Sequence, residues 1–430
     1  MSGADGSDAA DSPDGAGDAD ARGPADAASA ATGSGATAAA RTAGRRRLAL
    51  AAIGGGNFSQ LGARILLGAV VPFVLVEFDT TEATVGLALT GMWATYALLQ
   101  FPSGVLADRV GERPLVLAGV VGAAVGTALV ALSPSVLAFG AATVVLGAGA
   151  GLFFSPATAL LSRLYDERGG ALSVLTGAGA VAGAAFPAAG GALAERFGWE
   201  VAVGAGAAVA VPVVLATVAF VPALPPANPE RDLAALVDPG RIAGILSRPP
   251  LAYTTALAVL CGFTFQAVSS FLAAFLVAHR GLAPSTAAAA FGAVFGISAV
   301  AQPVNGRVSD ALSRDAAVAL SVTLAGAGIA ALVFVPGPAG TVAGVAVLGA
   351  GVSWPGPIQA RFMDRLGDAE RGYGFGLLRT VYMFLAASGS VVTGAVASAA
   401  GWPAAYGVVL ALLACCLGLL GANRALGLGW

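Results

Sequence analysis

The stretch GVLADRVGERP, residues 104–114, holds four charged residues, Asp108, Arg109, Glu112 and Arg113. The uncharged run LALTGMWATYALLQFPS precedes it, and LVLAGVVGAAVGTALVALSPS follows it. Each run has about the twenty apolar residues that a helix needs to cross the hydrocarbon core of a bilayer. The pattern therefore predicts a short charged loop between two membrane-spanning helices.

The composition extends this prediction to the whole chain of 430 residues. The sequence is 57% hydrophobic and 11% charged, with a mean hydropathy of +0.82, whereas soluble domains carry about 25% charged residues. The apolar blocks lack the polar face, of period 3.6 or 2, that a soluble helix or strand shows. We expect an all-α polytopic protein with twelve transmembrane helices, a multi-pass protein of the cell membrane that contacts the lipid bilayer.

Two segments differ from the apolar blocks. Residues 1–44 are acidic and poor in large apolar side chains, so they predict a disordered N-terminal tail. Residues 222–249 are polar and rich in proline, and they predict a linker between six-helix bundles at 45–221 and 250–430. All 22 basic residues are arginine, which together with the acidic tail is typical of proteins from salt-loving archaea.

The arginines indicate an orientation. Seventeen of them lie in the loops and ends on one side of the predicted spans, and only Arg196 and Arg280 lie on the other. Short loops rich in arginine stay in the cytoplasm. Both termini and the middle linker are therefore predicted to be cytoplasmic.

The charged stretch has a counterpart near the other end of the chain. At an offset of 202, Gln100, Gly104 and Asp108 match Gln302, Gly306 and Asp310, and after one insertion Gly198 and Trp199 match Gly401 and Trp402. The two halves thus form a parallel repeat. In membrane transporters such a repeat places the substrate site near the midplane, between the halves.

The stretch also resembles the signature of the loop between spans two and three in the major facilitator superfamily, G-x-L-a-D-r-x-G-r-k. The matching residues are Gly104, Leu106, Asp108, Arg109, Gly111 and Arg113, and Glu112 departs from the usual basic residue. The resemblance covers about residues 45–425. It implies a secondary transporter that moves a small molecule by alternating access and functions as a monomer, with no cofactor and no nucleic-acid partner.

The resemblance further implies a latch between the halves on the cytoplasmic side. Gly104 and Gly111 allow a tight turn, and the Asp108 carboxylate can meet the positive N-terminal end of a helix in the other half. Arg379 lies near the same junction. The remaining members of this candidate set are Arg109, Arg113 and Asp310. The alternative is that the charges only set the topology, for which Arg109 and Arg113 would suffice.

The predicted fifth span contains GAAFPAAGG, residues 183–191, which resembles a signature of family exporters. Pro187, Gly190 and Gly191 match it, and Phe186 replaces a glycine. A helix kink and close packing of small residues explain the motif equally well. Thr143 occupies the position of the arginine typical of proton-linked members, and no acidic residue lies deep in a span, which argues against a proton relay.

Arg64 lies about sixteen residues into the first span, roughly 24 Å along it. An arginine at this depth costs at least about 2.5 to 3.5 kcal/mol on insertion scales, so it normally faces a water-filled path and a partner. NFSQLGARILLG, residues 57–68, resembles the first span of family members that carry organic anions. A guanidinium suits a carboxylate because it can bind two oxygens at once. The alternative is that Arg64 bonds helix carbonyls near Gly54–Gly56.

Other polar or aromatic residues in the spans are candidates for the same cavity: Asn57, Gln60, Gln266, Ser269, Trp354, Gln359 and Tyr382. Gln266 lies 202 residues after Arg64. Trp354 precedes Pro355 and Pro357, which should break span ten and free backbone groups towards the cavity.

Other classes of protein fit less well. A single histidine and three cysteines without metal-ligand spacing argue against an enzyme or a metal centre, and no segment suggests a soluble output domain. We therefore expect a transporter of a small organic anion. Efflux of hydrophobic compounds is the alternative.

Overall fold

The computed structural model describes residues 24–230, 238–367 and 370–430, and it describes side chains from Gly44 onwards except that of Arg168. The chain divides into two compact units, Met1–Arg47 and Leu48–Trp430. Of the tail predicted over 1–44, residues 1–23 lie outside the described residues. Residues 24–44 were also expected to be disordered, but they are helical, in keeping with the high helix propensity of their many alanines.

The first half of the chain forms six helices. They are α1 (Pro24–Glu77), α2 (Glu82–Val110), α3 (Glu112–Ala131), α4 (Val136–Leu164), α5 (Arg168–Phe197) and α6 (Trp199–Phe220). A short amphipathic helix, α7 (Pro239–Leu246), follows in the segment predicted as a linker, and Asp238 caps its N-terminus through Gly240 N and Arg241 N.

The second half forms eight helices: α8 (Pro249–Arg280), α9 (Pro284–Ala311), α10 (Arg314–Phe334), α11 (Gly337–Gly351), α12 (Pro355–Arg365), α13 (Arg371–Ala386), α14 (Ser388–Ala400) and α15 (Trp402–Ala425). The pairs α11–α12 and α13–α14 each make one span. Within the described residues, eleven segments are long and apolar enough to cross a membrane.

Helix α2 supplies the twelfth span. With 29 residues it is about 43 Å long. It contains polar and aromatic residues that are buried, namely Trp93, Tyr96, Gln100 and Ser103. It packs against α13 and α14 of the second half as well as against α4. The prediction of an all-α protein with twelve spans is confirmed.

The repeat with an offset of 202 is also confirmed, in the contacts of equivalent residues. Gly126 lies against the backbone of Leu146, and Gly328 lies in the same way against Leu348. Ser103 Oγ donates to Gly151 O at 3.1 Å, and Asn305 Nδ2 donates to Ser353 O at 3.1 Å. The second, third and fourth spans of each half therefore pack through equivalent contacts.

Two spans are broken. In span ten the helix is interrupted at residues 352–354, directly before Pro355. Pro355 and Pro357 predicted a break here. The carbonyls of Val352 and Ser353 accept hydrogen bonds from Ser298 and Asn305 on α9. These two carbonyls thus bond to a neighbouring helix. The expectation was that they would point towards the cavity.

The second break, at Ala387 in span eleven, was not predicted. Thr90 of α2 causes it, because its hydroxyl donates to Ala387 O at 3.0 Å and accepts from Val391 N at 3.0 Å. A side chain that inserts into the i→i−4 ladder is a known cause of a helix break.

The two halves meet along α5–α9 and along α2 with α13 and α14. We call the end of the bundle that carries Asp108 and Trp430 the terminal end, and the end that carries Glu82 and Glu195 the distal end. At the distal end, Gly191 leaves no room for a Cβ beside Ala288, and Glu195 Oε2 accepts from Ser285 N at 3.1 Å. The Glu82 carboxylate also accepts from Ser398 Oγ at 2.9 Å. The halves are therefore closed against each other at the distal end.

At the terminal end a cavity of about 380 Å³ lies between α2, α4 and α13, although Phe101 of α2 packs against Tyr373 of α13 there, with ring centroids 5.0 Å apart. A second cavity, of about 370 Å³, lies between α5 and α9. Its lining includes Thr176 and Gly177 of α5 and Gln302 of α9. Cavities between the two halves are thus found towards the terminal end.

Candidate functional site

Arg64 is buried in the centre of the helix bundle, with 3% of its surface exposed. Its Nη2 donates to Gln60 Oε1 at 2.7 Å, and Gln60 Nε2 donates to Asn57 Oδ1 at 2.7 Å. Asn57 Nδ2 in turn donates to Leu175 O of α5 at 2.8 Å. We call this chain of three hydrogen bonds the Arg64 relay. It fixes the guanidinium through residues spaced three and four apart on one face of α1.

The relay leaves one guanidinium nitrogen, Arg64 Nη1, buried without a hydrogen-bond partner. Arg64 Nε donates to Gln60 O at 3.3 Å, so Arg64 does bond a helix carbonyl, though not one of Gly54–Gly56. No carboxylate pairs with Arg64 in the part of the chain that the structure describes. The guanidinium is thus held in place while part of its hydrogen-bonding capacity stays unused.

Aromatic side chains cover the guanidinium. Arg64 Cζ lies 3.9 Å from the ring centroid of Tyr96 and 4.9 Å from that of Trp93. Trp93 packs edge-on against Phe265 of α8, with centroids 6.1 Å apart. A cation over an aromatic face is attracted by the ring quadrupole, by about 2 kcal/mol or more when desolvated. These contacts help to retain the buried charge and bring both halves of the chain to the site.

Arg379 of α13 belongs to the same neighbourhood. Its charge acts on Arg64, and the Tyr96 phenol interacts with both guanidinium groups. Arg379 Cζ also lies 4.7 Å from the ring centroid of Phe154, and its Nε is buried without a partner. The structure therefore brings Arg379, predicted as a latch residue, to the phenol of Tyr96, whose ring covers Arg64.

The other predicted cavity residues divide into two groups. Gln266 and Ser269 are buried on α8, and Gln266 Oε1 and Ser269 Oγ have no partner. Tyr382 interacts electrostatically with Arg379 and Tyr96, and its ring packs against Trp354 with centroids 6.5 Å apart. Gln359 is exposed on α12, so the structure does not bring it into this buried cluster.

The predicted latch residues lie at the terminal end. Gly104, Asp108 and Arg379 line the 380 Å³ cavity together with Gly372, in the first turn of α13. The Asp108 carboxylate thus shares a cavity with the N-terminal end of a helix in the other half. Gly111 links α2 to α3 with φ 93°, a conformation that favours glycine.

Three other predicted latch residues do not line this cavity: Arg109, Arg113 and Asp310, which is the equivalent of Asp108 in the second half. Arg109 is exposed, and Arg113 Nη2 donates to Val218 O of α6 at 2.9 Å. Asp310 is exposed and pairs with Arg314 of its own half at 2.5 Å. The copy of Asp108 therefore bonds within its half in this state, and not across to the first half.

Glu112, which departs from the signature, also has a structural role. It is 1% exposed and pairs with Arg163 of α4 at 2.6 Å. Arg163 Nη2 also donates to Pro225 O at 2.8 Å. The substitution of a basic residue by glutamate thus ties the loop to the end of α4 and to the segment after α6.

In α5 the motif residues lie in one unbroken helix, with Pro187 inside it. Gly190 leaves no room for a Cβ beside Leu66 of α1, and Gly191 leaves none beside Ala288 of α9. The glycines thus serve close helix packing.

A charged pair outside the spans ties the start of α8 to the segment before α13. Arg248 Nη1 and Nη2 donate to the two carboxylate oxygens of Glu370 at 2.7 and 2.8 Å. These hydrogen bonds hold the pKa of Glu370 below its ordinary value and raise the pKa of Arg248.

Trp93 and Tyr96 were not among the residues predicted from the sequence. The available signal was their spacing, because Trp93, Tyr96 and Gln100 fall on one face of α2 at intervals of three and four residues. Aromatic residues in a span are more often packing residues, so this signal alone could not have identified them.

Comparison with known proteins supports the fold. The profile of the Major Facilitator Superfamily matches residues 52–365 and 257–425. The structure of a bacterial homologue of the human lysosomal transporter Spinster, inward-facing and unoccupied, superposes with a TM-score of 0.74 at 17% identity, covering 88% of this chain and 97% of that one. The human organic anion transporter MFSD10 superposes with a TM-score of 0.66 at 19% identity, covering 87% and 99%.

Relatives in sequence match over shorter segments. The inner membrane transport protein YajR of Escherichia coli is 30% identical over 26% of this chain and 24% of its own length. The multidrug efflux pump LfrA of Mycolicibacterium smegmatis is 29% identical over 36% of this chain and 34% of its own length. The chain therefore spans about a quarter to a third of the curated relatives that it matches.

The twelve helices, the internal repeat and the buried central cluster form the same fold as these solved transporter structures. The chain belongs to the Major Facilitator Superfamily.

Proposed function

We propose that the protein carries a small organic anion across the cell membrane by alternating access, with Arg64 as the anion-binding residue. One observation carries the proposal: a buried guanidinium is held by the Arg64 relay, has no carboxylate partner among the described residues, and keeps Nη1 unpartnered. A desolvated charge without a partner is costly. A substrate carboxylate or phosphate would supply the missing charge and acceptors.

The state of the bundle fits this cycle. Contacts close the distal end, and cavities lie at the terminal end. With both termini and the linker in the cytoplasm of a plasma-membrane protein, this is a state open to the inside. Asp108 would latch the halves on that side in the opposite state. The six-helix bundles, 45–221 and 250–430, would be the moving bodies of a monomer.

Efflux of hydrophobic compounds is the second candidate, because the surroundings of Arg64 are rich in aromatic rings. Phe58 packs against Phe186 with centroids 5.2 Å apart, and Phe265 packs against Phe295 at 5.9 Å. Two relatives are named as drug efflux pumps. The exporter resemblance of Pro187, Gly190 and Gly191 supports the same candidate.

A comparison of wild type with Arg64→Gln tests the proposal. In a thermal-shift assay in detergent, across a panel of organic acids, sugars and lipophilic drugs, an acid should stabilise the wild type. It should not stabilise Arg64→Gln, because glutamine cannot offset the charge of a carboxylate. Uptake of that acid into proteoliposomes should fall by at least about tenfold, since hydrogen bonds to charged groups contribute about 1.5 to 3 kcal/mol.

Arg64→Lys retains the charge but loses the two-pronged geometry, so its loss of affinity should be intermediate. Equal stabilisation of wild type and Arg64→Gln by the acid would exclude Arg64 as its ligand and favour the efflux function. Arg280→Gln is the control, because Arg280 bonds the carbonyls of Ala331 and Val335 at the distal end.

A further inference from the structure

Two guanidinium groups, and not one, lie near the Tyr96 side chain: that of Arg64 is buried, and that of Arg379 is partly buried. Arg64 approaches it from α1 and Arg379 from α13, and the phenol interacts with both. The two positive charges repel each other. In the described part of the chain, no acidic side chain forms an ion pair with either arginine. The cluster therefore carries two positive charges that the protein itself does not balance.

Three hydrogen-bond donors near Tyr96 are unused. Arg64 Nη1, Arg379 Nε and Gln100 Nε2 are buried without partners. Gln100 lies one turn beyond Tyr96 on the same face of α2 and lines the 380 Å³ cavity together with Arg379. A ligand that fits these groups offers acceptors and no donors, as phosphate and carboxylate groups do.

The nearest acidic residue of α2 lies well away from Tyr96. Asp108 lies twelve residues beyond Tyr96 on the continuous helix α2, about 18 Å along its axis. It lines the opposite end of the same cavity, towards the surface. The cavity thus connects the terminal end of the bundle with Arg379, and its volume is within the range of small-molecule sites.

We infer that the site takes a doubly charged anion, and that Arg379 is a second binding residue beside Arg64. The inference rests on the proposed function and narrows its substrate class. A monoanion would leave one positive charge unbalanced in a medium of low dielectric, whereas a dianion neutralises the cluster. A phosphate monoester and a dicarboxylate share this chemistry, since both carry close to two negative charges at neutral pH.

Matched pairs of probes test the inference. The first pair is glycerol 3-phosphate and its methyl diester, and the second is succinate and succinamate; within each pair the size is similar and the charge differs by about one. Stabilisation in detergent, titrated against each probe, gives apparent affinities for wild type, Arg379→Gln, Arg379→Lys and Arg64→Gln. Arg280→Gln is again the control, as a loss of positive charge outside the site.

The wild type should bind the dianion of at least one pair about tenfold more tightly than the monoanion, and the pair that shows this identifies the head group. Arg379→Gln should lose this preference and keep its affinity for the monoanion through Arg64. Arg379→Lys should recover part of the preference, which a purely structural arginine would not.

An unchanged preference in Arg379→Gln would overturn the inference and leave the proposed function intact, provided that Arg64→Gln loses binding of both anions. A wild type that binds dianion and monoanion equally would also overturn it. Absence of stabilisation by any acid in the wild type would instead refute the proposed function itself, and the inference with it.

Discussion

At the scale of single residues, the ion pair of Arg248 and Glu370 has a dependence on pH that can be measured. The folded pKa of Glu370 is lowered by its hydrogen bonds to Arg248. A carboxyl group with a lowered folded pKa stabilises the protein fully above its ordinary pKa, near 4.5, and this contribution is lost as the pH falls through the folded pKa. The pair is partly exposed, so its effect on stability should be small.

We therefore expect Glu370→Gln to lower the melting temperature at pH 7 and to have a smaller effect, or none, below pH of about 4. The measurement is the melting temperature of both proteins in detergent across this range. Glu167→Gln, at a residue whose side chain makes no capping bond at the start of α5, is the control. A difference that is constant over the whole range would show that the ion pair is not its source.

At the same scale, the sequence identified Arg64, Asn57 and Gln60, but not the aromatic residues that cover the guanidinium. A lone arginine among apolar residues is conspicuous because its charge is costly there, and Asn57 and Gln60 were selected as polar residues in the same span. Tyr96 and Trp93 were missed since aromatic residues are also ordinary packing residues. The approach of Arg379 to Tyr96 depends on how α13 packs on α2, which no local pattern encodes.

At the scale of helices, the contact between α5 and α9 should control the distal end. A Cβ at Gly191 would overlap that of Ala288, so Gly191→Ala should push the two helices apart and favour the state that is open at the distal end. A cysteine at position 158, in the lining of the terminal-end cavity, should then react more slowly with a thiol reagent, by about twofold or more. Gly407→Ala is the matched control, since nothing lies within 4 Å of its Cβ position.

Asp108→Asn is the opposite arm of this experiment. Loss of the charge should weaken closure at the terminal end, so the same cysteine should react faster, and transport should slow while substrate binding persists. Transport at the wild-type rate would argue that Asp108 and its neighbours only set the topology. For Gly191→Ala, an unchanged reactivity would show that the glycine contact does not hold the distal end closed.

Helix boundaries show where sequence reasoning succeeds. The break in span ten was predictable because proline lacks an N–H group and clashes with the preceding turn. The break at Ala387 was not, since its cause is Thr90, which is 297 residues away in the sequence. The helix before Leu48 was also missed, because the lack of large apolar side chains outweighed the alanine content in the prediction.

At the scale of the whole molecule, the orientation in the membrane can be tested with single cysteines. In a background without Cys261, Cys415 and Cys416, Glu77→Cys at the distal end should react with an impermeant thiol reagent added to intact cells. Asp166→Cys at the terminal end should react only after the cells are opened. The expectation follows from the arginine-rich loops of the terminal end, and the reverse labelling pattern would overturn the orientation.

The Arg64 relay has a consequence for affinity that concerns entropy. A free arginine side chain loses about 2 kcal/mol of rotamer freedom when it is fixed. In this protein, Gln60, Asn57 and the Leu175 carbonyl fix the guanidinium during folding, so that loss has already occurred when a ligand arrives. A preorganised group of this kind lets nearly all of the attraction between ligand and guanidinium appear as binding free energy. Arg379, which is only partly buried and has no such relay among the described residues, still has to be ordered when the ligand binds.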